Sequence, residues 1–250
     1  MLLVEHMVGV ARHSESIVLV GAGGIGAPAA WALAEAGARH IVLVDEDAVE
    51  LGNLHRQVLF EETDVGRAKV TALAEALRRV SPRMAVSCFE GRALPSTVVE
   101  LLAGAGVVID ATDNFASRFL LADAAHLARV PIVHAAAVRW HATVLVASGE
   151  GKPCYRCLFE DLPIGAAIDC ATAGVLGPVC GVAGAVAADR ALRILAGDGT
   201  AFGHVVTFDG MSDRLRQVAV FSRAECPLCG THPEIGTIDA RRYTKALNFD

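Results

Sequence analysis

The sequence predicts an open, doubly wound α/β sheet, parallel through its first half and extended by antiparallel strands on its C-terminal side. Three observations predict it. Short apolar runs alternate with helical patterns from Ile17 to Ala135, the order that builds parallel strand–helix–strand units. The first run, Ile17 to Val20, meets Gly21-Ala22-Gly23-Gly24-Ile25-Gly26, and the run Ile41 to Val44 ends at Asp45. Strand, glycine turn, helix, strand, acid is the order of a Rossmann-like nucleotide-binding unit. After Ala135 the alternation breaks, and strands joined by short turns point to an antiparallel extension.

The elements follow in order. The sixteen residues before Ile17 support at most a short helix. An Ala-rich helix runs from the glycine turn to Ala36. The polar stretch Glu46 to Gln57 lies beyond the second strand, where ligands of open parallel sheets bind. Val70, Leu73, Ala74 and Leu77 recur at helical spacing in a segment that Ser81-Pro82 ends. A strand at Ala85 to Phe89, a helix across Pro95 to Ala103 and a strand at Val107 to Ile109 lead to Asp110-Ala111-Thr112-Asp113-Asn114. A helix spans Phe115 to Arg129, and Ile132 to Ala135 is the next strand. Trp140 to Ala147 reads as a strand, Cys154-Tyr155-Arg156-Cys157 as a knuckle rather than a helix start, and Phe159 to Asp169 as a mobile loop. Pro178 to Leu195 reads as a long helix, and His204 to Phe208 and Leu215 to Phe221 as two strands around Asp209-Gly210.

With 250 residues, 53% hydrophobic content and a mean hydropathy of +0.44, the chain can bury a sizeable core, read as one domain over 1–250. A net charge of −6 without a basic block argues against nucleic-acid or anionic-membrane partners. The N-terminus carries no signal-peptide pattern, so a cytoplasmic protein is expected. Cys170 to Ala188 has no charged residue, but its Ala, Gly and Val content reads as a buried helix rather than a membrane span.

Two constellations carry chemistry. Cys154-x-x-Cys157 and Cys226-Pro-Leu-Cys229 have the spacing of a four-thiolate zinc site, closed and therefore structural; redox dithiols or buried cysteines are the alternatives. Asp45, Asn53, Arg56, Gln57, Lys69 and Asp113 all fall at or beyond strand ends or at a helix start. Arg56 and Lys69 suit phosphate oxygens, Asp113 a magnesium ion and Asp45 a ribose. A dehydrogenase needs no such clamp, whereas phosphoryl or adenylyl transfer depends on one.

Together Gly21-x-Gly23-Gly24-x-Gly26, Val44-Asp45-x-Asp47-x-Val49-Glu50-x-x-Asn53-Leu54-x-Arg56-Gln57, Gly66-x-x-Lys69 and Asp110-Ala111-Thr112-Asp113-Asn114-x-x-x-Arg118 resemble the MoeB/ThiF (HesA/MoeB/ThiF) family, relatives of the ubiquitin-activating enzymes. So do Ala173-Gly174-Val175-Leu176-Gly177-Pro178 and Cys226-Pro-Leu-Cys229-Gly-Thr-His-Pro. The resemblance implies an adenylyltransferase that uses ATP and Mg²⁺ to adenylylate the C-terminal glycine of a ubiquitin-like sulfur-carrier protein of the MoaD or ThiS kind, releasing pyrophosphate. It implies that Gly21, Gly23, Gly24 and Gly26 cradle the nucleotide, with Asn114 beside it. Asp45 would hold the ribose, Asn53 and Arg56 would face the phosphates, Lys69 would meet the triphosphate, Asp113 would orient the metal, and Gln57 joins them as a cofactor-binding candidate. Cys170 matches a cysteine that some members use covalently, so it joins Arg56, Lys69 and Asp113 as a candidate catalytic residue. Two-fold pairing is implied as well, with Gly177 and Gly181 as small residues for close helix packing. The Arg-Tyr-x-Arg-Gln stretch with which many members begin is not found, and no rhodanese-type domain follows Cys226, so a separate sulfur donor is expected. Adenylylation of another carboxylate, and a non-catalytic nucleotide-binding partner of the same fold, are the competing readings.

Overall fold

In a computed structural model, residues 15–151, 153–163 and 174–244 are described. Eight strands form one sheet in the order β3-β2-β1-β4-β5-β6-β7-β8. They are β1 (Ser16–Val20), β2 (His40–Asp45), β3 (Ala85–Glu90), β4 (Val107–Asp110), β5 (Ile132–Val138), β6 (His141–Ala147), β7 (His204–Asp209) and β8 (Arg214–Ala219). Pairing is parallel from β3 through β5 and antiparallel from β5 to β8, as the sequence pattern predicts.

The helices are α1 (Gly26–Glu35), α2 (Lys69–Val80), α3 (Val98–Leu102), α4 (Phe115–Leu127), α5 (Tyr155–Leu158), α6 (Gly177–Leu195) and α7 (Arg241–Thr244). Strand period two sorts the central residues between two cores. Ile17, Leu19, Ile41, Leu43 and Ile109 face α1, α2 and α6, whereas Val18, Val20, Val42, Val44 and Val108 face α3 and α4. Because both faces are covered, these strands read as continuous apolar runs rather than alternating ones.

Several boundaries differ from expectation. The Cys154 knuckle does start a helix, the single turn α5, because the Cys157 and Phe159 N–H groups bond back to Cys154 and Tyr155. Only Val98–Leu102 of the Pro95 segment is helical, and Thr97 and Val98 donate back to Leu94 in a preceding turn. The hairpin β5–β6 is tighter than predicted: Val138 pairs with His141, leaving Arg139 and Trp140 as the turn, with Arg139 at φ 52. β8 ends at Ala219 and is exposed along its whole length. Cys88 lies exposed on β3, an edge strand. No helix among the described residues is long and apolar enough to cross a membrane.

α6 is a core helix. Its Val179, Cys180, Ala183, Gly184, Ala187 and Ala188 are buried, and a Cβ at Gly184 would come within 2.6 Å of the Ile25 carbonyl oxygen in the turn before α1. Gly177 likewise packs on the His55 carbonyl, and only Gly181 of the expected pairing residues faces open space. Most small residues of α6 therefore serve packing within the chain. Cys170 and the Ala171–Ala173 segment lie outside the described residues.

A candidate nucleotide-binding site and a four-cysteine cluster

The strand order reverses at β1, with β2 on one side and β4 on the other. Ligands of open parallel sheets bind outside the carboxyl ends of the strands at such a switch point. A cavity of about 230 Å³ lies there, bounded by Gly21, Gly23, Gly24, Asp45, Asn53, Arg56, Gln57, Lys69, Asp113 and Asn114. Of the predicted cofactor-binding residues only Gly26 does not line it.

The glycines divide their work. Gly21 turns the chain at φ +97, and a Cβ on Gly26 would collide with the Gly21 carbonyl oxygen, so both are needed to make the turn. Gly23 is different, because a Cβ there would approach only the Gln57 side chain, at 3.6 Å. Among the described residues no side chain caps the start of α1, but the Ala27 and Ala29 N–H groups donate to the Gly23 and Ile25 carbonyls and Pro28 has no N–H, so an anion would meet the glycine turn and the very start of the helix rather than its whole first turn.

Asp45 ends β2 and is tied to the glycine turn. Its Oδ2 accepts from the Ala22 N–H at 2.6 Å and its Oδ1 from the Asp47 N–H at 2.8 Å. Each oxygen keeps a second lone pair for a hydroxyl donor. Burial raises its pKa, against the pull of the two backbone N–H groups and of Lys69. Lys69 opens α2, and its nearly buried Nζ donates to Asp47 Oδ2 at 2.7 Å. Its two other protons remain for a ligand.

Among the described residues no carboxylate pairs with Arg56, whose guanidinium meets only His55 Nε2 at 3.5 Å. Gln57 is buried, and its Oε1 has no hydrogen-bond partner among the described residues. A buried amide oxygen left without a donor beside a cavity fits a bound polar group. Asn53 donates to Glu50 Oε2 at 2.9 Å, and Asn114 caps α4 by accepting from the Ser117 N–H, a structural duty. Asp113 is exposed on the cavity wall.

The second centre lies elsewhere. The sulfurs of Cys154, Cys157, Cys226 and Cys229 lie within 4.8 Å of one another, and all four residues are buried. Contacts of 3.5 Å from Cys154 to Cys226, 3.5 Å from Cys157 to Cys229 and 3.9 Å from Cys154 to Cys157 define a compact cage. Tetrahedral ligation with Zn–S bonds of ~2.3 Å places sulfurs about 3.8 Å apart, so the cage fits a zinc ion. Hydrogen bonding from Cys154 first, then from Cys157 and Cys226, draws the Cys229 thiol down to about 5. Beside the cage Arg156 makes a two-pronged pair with Asp123, at 2.7 and 2.9 Å, and the Tyr243 hydroxyl donates to the same carboxylate at 2.7 Å.

A model of the ThiF family matches residues 9–229. The chain belongs to the ThiF family. Over 221 residues, 87% of this chain and 81% of the relative, it is 42% identical to the SAMP-activating enzyme E1 of Haloferax volcanii. It is 38% identical over 225 residues to the sulfur carrier protein adenylyltransferase of Thermus thermophilus, covering 87% of this chain and 83% of that one. The solved structure of the microcin C7 biosynthetic enzyme MccB with N-formylated MccA superposes with a TM-score of 0.76, covering 92% of this chain and 70% of that one. At 23% identity this last likeness shows the fold alone.

Sequence reasoning passes over several residues of this ThiF-family site. Asp47, two residues beyond Asp45, carries a signal, because an acid so close to the strand end is placed to hold the Lys69 ammonium. Arg92, which follows β3, lines the cavity and pairs with Glu46 at 2.9 Å. Cys180 is buried in α6 and also lines the cavity behind Gly24. Thr112 and Arg118 stand in a motif of the family resemblance but are given no role by it, and His134 gives no signal, since only the fold joins it to them.

Proposed function

We propose that this chain is an ATP-dependent adenylyltransferase acting on the C-terminal glycine carboxylate of a ubiquitin-like sulfur-carrier protein. The reading is carried by one observation: Arg56, Lys69, Asp45 and an exposed Asp113 converge on a single cavity at an uncapped helix start. SAMP activation and sulfur-carrier adenylylation, the activities for which the archaeal and bacterial relatives are named, support it.

In this reaction a carboxylate oxygen of the carrier attacks the α-phosphorus of ATP. The bond from that phosphorus to its bridging oxygen breaks, and pyrophosphate leaves with the electron pair. The chain's task is to hold two anions together and to meet the charge that builds on the phosphoryl oxygens. The glycine turn and the α1 N-terminus suit the phosphates, Asp45 the ribose hydroxyls, and Arg56 and Lys69 the developing charge. Gln57 Oε1, buried without a donor, suits a hydroxyl or water of the bound substrate. Asp113, with its exposed carboxylate, would hold a magnesium ion, which supplies charge neutralisation at the phosphates when bound. The four cysteines would hold one structural zinc.

The same reading makes Cys170 the candidate thiol for a later sulfur-transfer step, gives the chain a homodimeric form and places it in the cytoplasm. The test is ATP–pyrophosphate exchange against a panel of carrier proteins ending in Gly-Gly. Exchange that depends on one such carrier and on its terminal carboxylate is expected. Exchange driven by a small carboxylate and by no carrier would overturn the substrate assignment.

A further inference from the structure

Beneath the cavity wall lies a buried polar group that the proposed chemistry does not use. Asp110, at the end of β4, is fully buried. Its Oδ1 accepts from the Thr112 N–H at 3.0 Å and the Thr112 hydroxyl at 2.6 Å, and its Oδ2 from His134 Nδ1 at 2.7 Å. Arg118 stands 3.9 Å from Oδ2 and donates to the carbonyls of Thr112 and Ala135. Every polar group of Thr112 is therefore held, and Thr112 is the residue before Asp113.

His134 is buried in β5, and its Nε2 has no partner among the described residues. With Asp110 ionised, Nδ1 carries the proton of this hydrogen bond. The Tyr155 ring packs against the imidazole, with centroids 4.5 Å apart and planes tilted by 41°. Tyr155 in turn packs on Phe119 and Phe159 and directly follows the cysteine ligand Cys154. A chain of contacts thus runs from the four-cysteine cage to the Thr112–Asp113 wall of the cavity.

We propose that His134 is a positioning residue: held by Tyr155 at the edge of the cysteine cage, it fixes Asp110 and thereby the Thr112–Asp113 wall against which nucleotide binds. The consequence for turnover rests on the adenylyltransferase reading, whereas the structural claim does not. Removing the donor leaves the buried Oδ2 to find another, with Arg118 3.9 Å away, and Thr112 shares the same carboxylate through Oδ1, so a shift of Asp110 carries Thr112 with it.

The test is amide hydrogen exchange of the full chain, read at Ala111 to Asn114 relative to α1. His134→Leu is expected to speed exchange there by about tenfold or more, the equivalent of one hydrogen bond to a charged group. His134→Asn, whose amide can reach the place of Nδ1, is expected to restore protection. If the leucine variant does not fold, Tyr155→Leu, with zinc content and melting measured alongside, carries the same expectation at reduced size. Protection at Thr112 and Asp113 that stays at the wild-type level in a folded variant of either kind would overturn the proposal. ATP–pyrophosphate exchange is measured on the same samples. A fall in kcat with an unchanged KM for the carrier is the expected result, while a wild-type chain without exchange would count against the functional reading and leave the outcome of the hydrogen-exchange measurement intact.

Discussion

The nucleotide cavity and the cysteine cage treat their charged groups in opposite ways. Around the cage the charged groups close on one another: the four cysteines are buried together, and Arg156, Asp123 and Tyr243 are mutually paired beside them. Around the cavity groups are held ready but unfinished. Gln57 Oε1 lacks a donor, Arg56 meets no carboxylate among the described residues, and Asp45 is kept ionisable in a partly buried place that raises its pKa. A closed centre contributes stability, whereas an open one gives up stability to keep its groups available to a ligand.

If that contrast holds, changes at the two centres separate. The largest effect is expected at the cage. Cys226→Ala should abolish zinc binding, measured by elemental analysis, and lower the melting temperature, because thiolate ligation couples metal to folding. Arg156→Met should follow closely, since it leaves Asp123 charged and unpaired in the core. A loss of about 3–5 kcal/mol is expected, seen as a fall of roughly 10–15 °C in Tm, with the KM for ATP unchanged in the folded fraction. A shift in nucleotide affinity as large as the shift in stability would break the contrast.

Lys69→Ala should invert the pattern. Its partner Asp47 is exposed and can solvate itself, so melting should move little, while ATP–pyrophosphate exchange falls on the order of 10²-fold. Wild-type exchange in that variant would remove Lys69 from the chemistry. The smallest effect on the fold is expected at Asp45. Its folded pKa is raised, chiefly by burial, so the stability it contributes is present below its unfolded value and lost as pH rises through the folded one. Asp45→Asn should therefore leave neutral-pH melting unchanged or slightly raised while weakening ATP binding, read by calorimetry. Asp110 has the opposite sign: burial alone would raise it, but the Arg118 charge and the His134 and Thr112 hydrogen bonds together lower it, so its contribution is present above its unfolded value and fades in acid.

The parallel half of the sheet is legible because its signals are local. Ile17 to Val20, the glycine turn and Asp45 lie within thirty residues and each needs only its neighbours to be read. The cage is legible for a different reason, since Cys-x-x-Cys spacing reports ligation geometry even across 72 residues. What stays hidden depends on pairings that no spacing encodes. His134 reaches Asp110 because β5 lies beside β4, and Tyr243 reaches Asp123 across 120 residues. The α5 turn escapes a reading of the sequence because Pro153 and two cysteines suggest a loop, whereas Tyr155 and Arg156 are buried anchors that the helical turn orients toward His134 and Asp123.

The order of strands also sets a schedule for synthesis. β1 leaves the ribosome with β2 soon behind it, but the partner for its other edge is β4, and Ile17 pairs with Val107, ninety residues later (107 − 17). At about 5–20 residues per second that edge stays open for roughly 5–18 s, a row of unpaired backbone groups with apolar side chains on both faces. Cys154 and Cys157 wait in the same way for Cys226, 72 residues beyond Cys154, as a bare dithiol. The nascent chain is thus most vulnerable to mispairing before β4 emerges and to thiol oxidation or metal capture before the last knuckle does. Slowing translation between residues 45 and 107 should lower the soluble yield of the protein without changing a single residue of it.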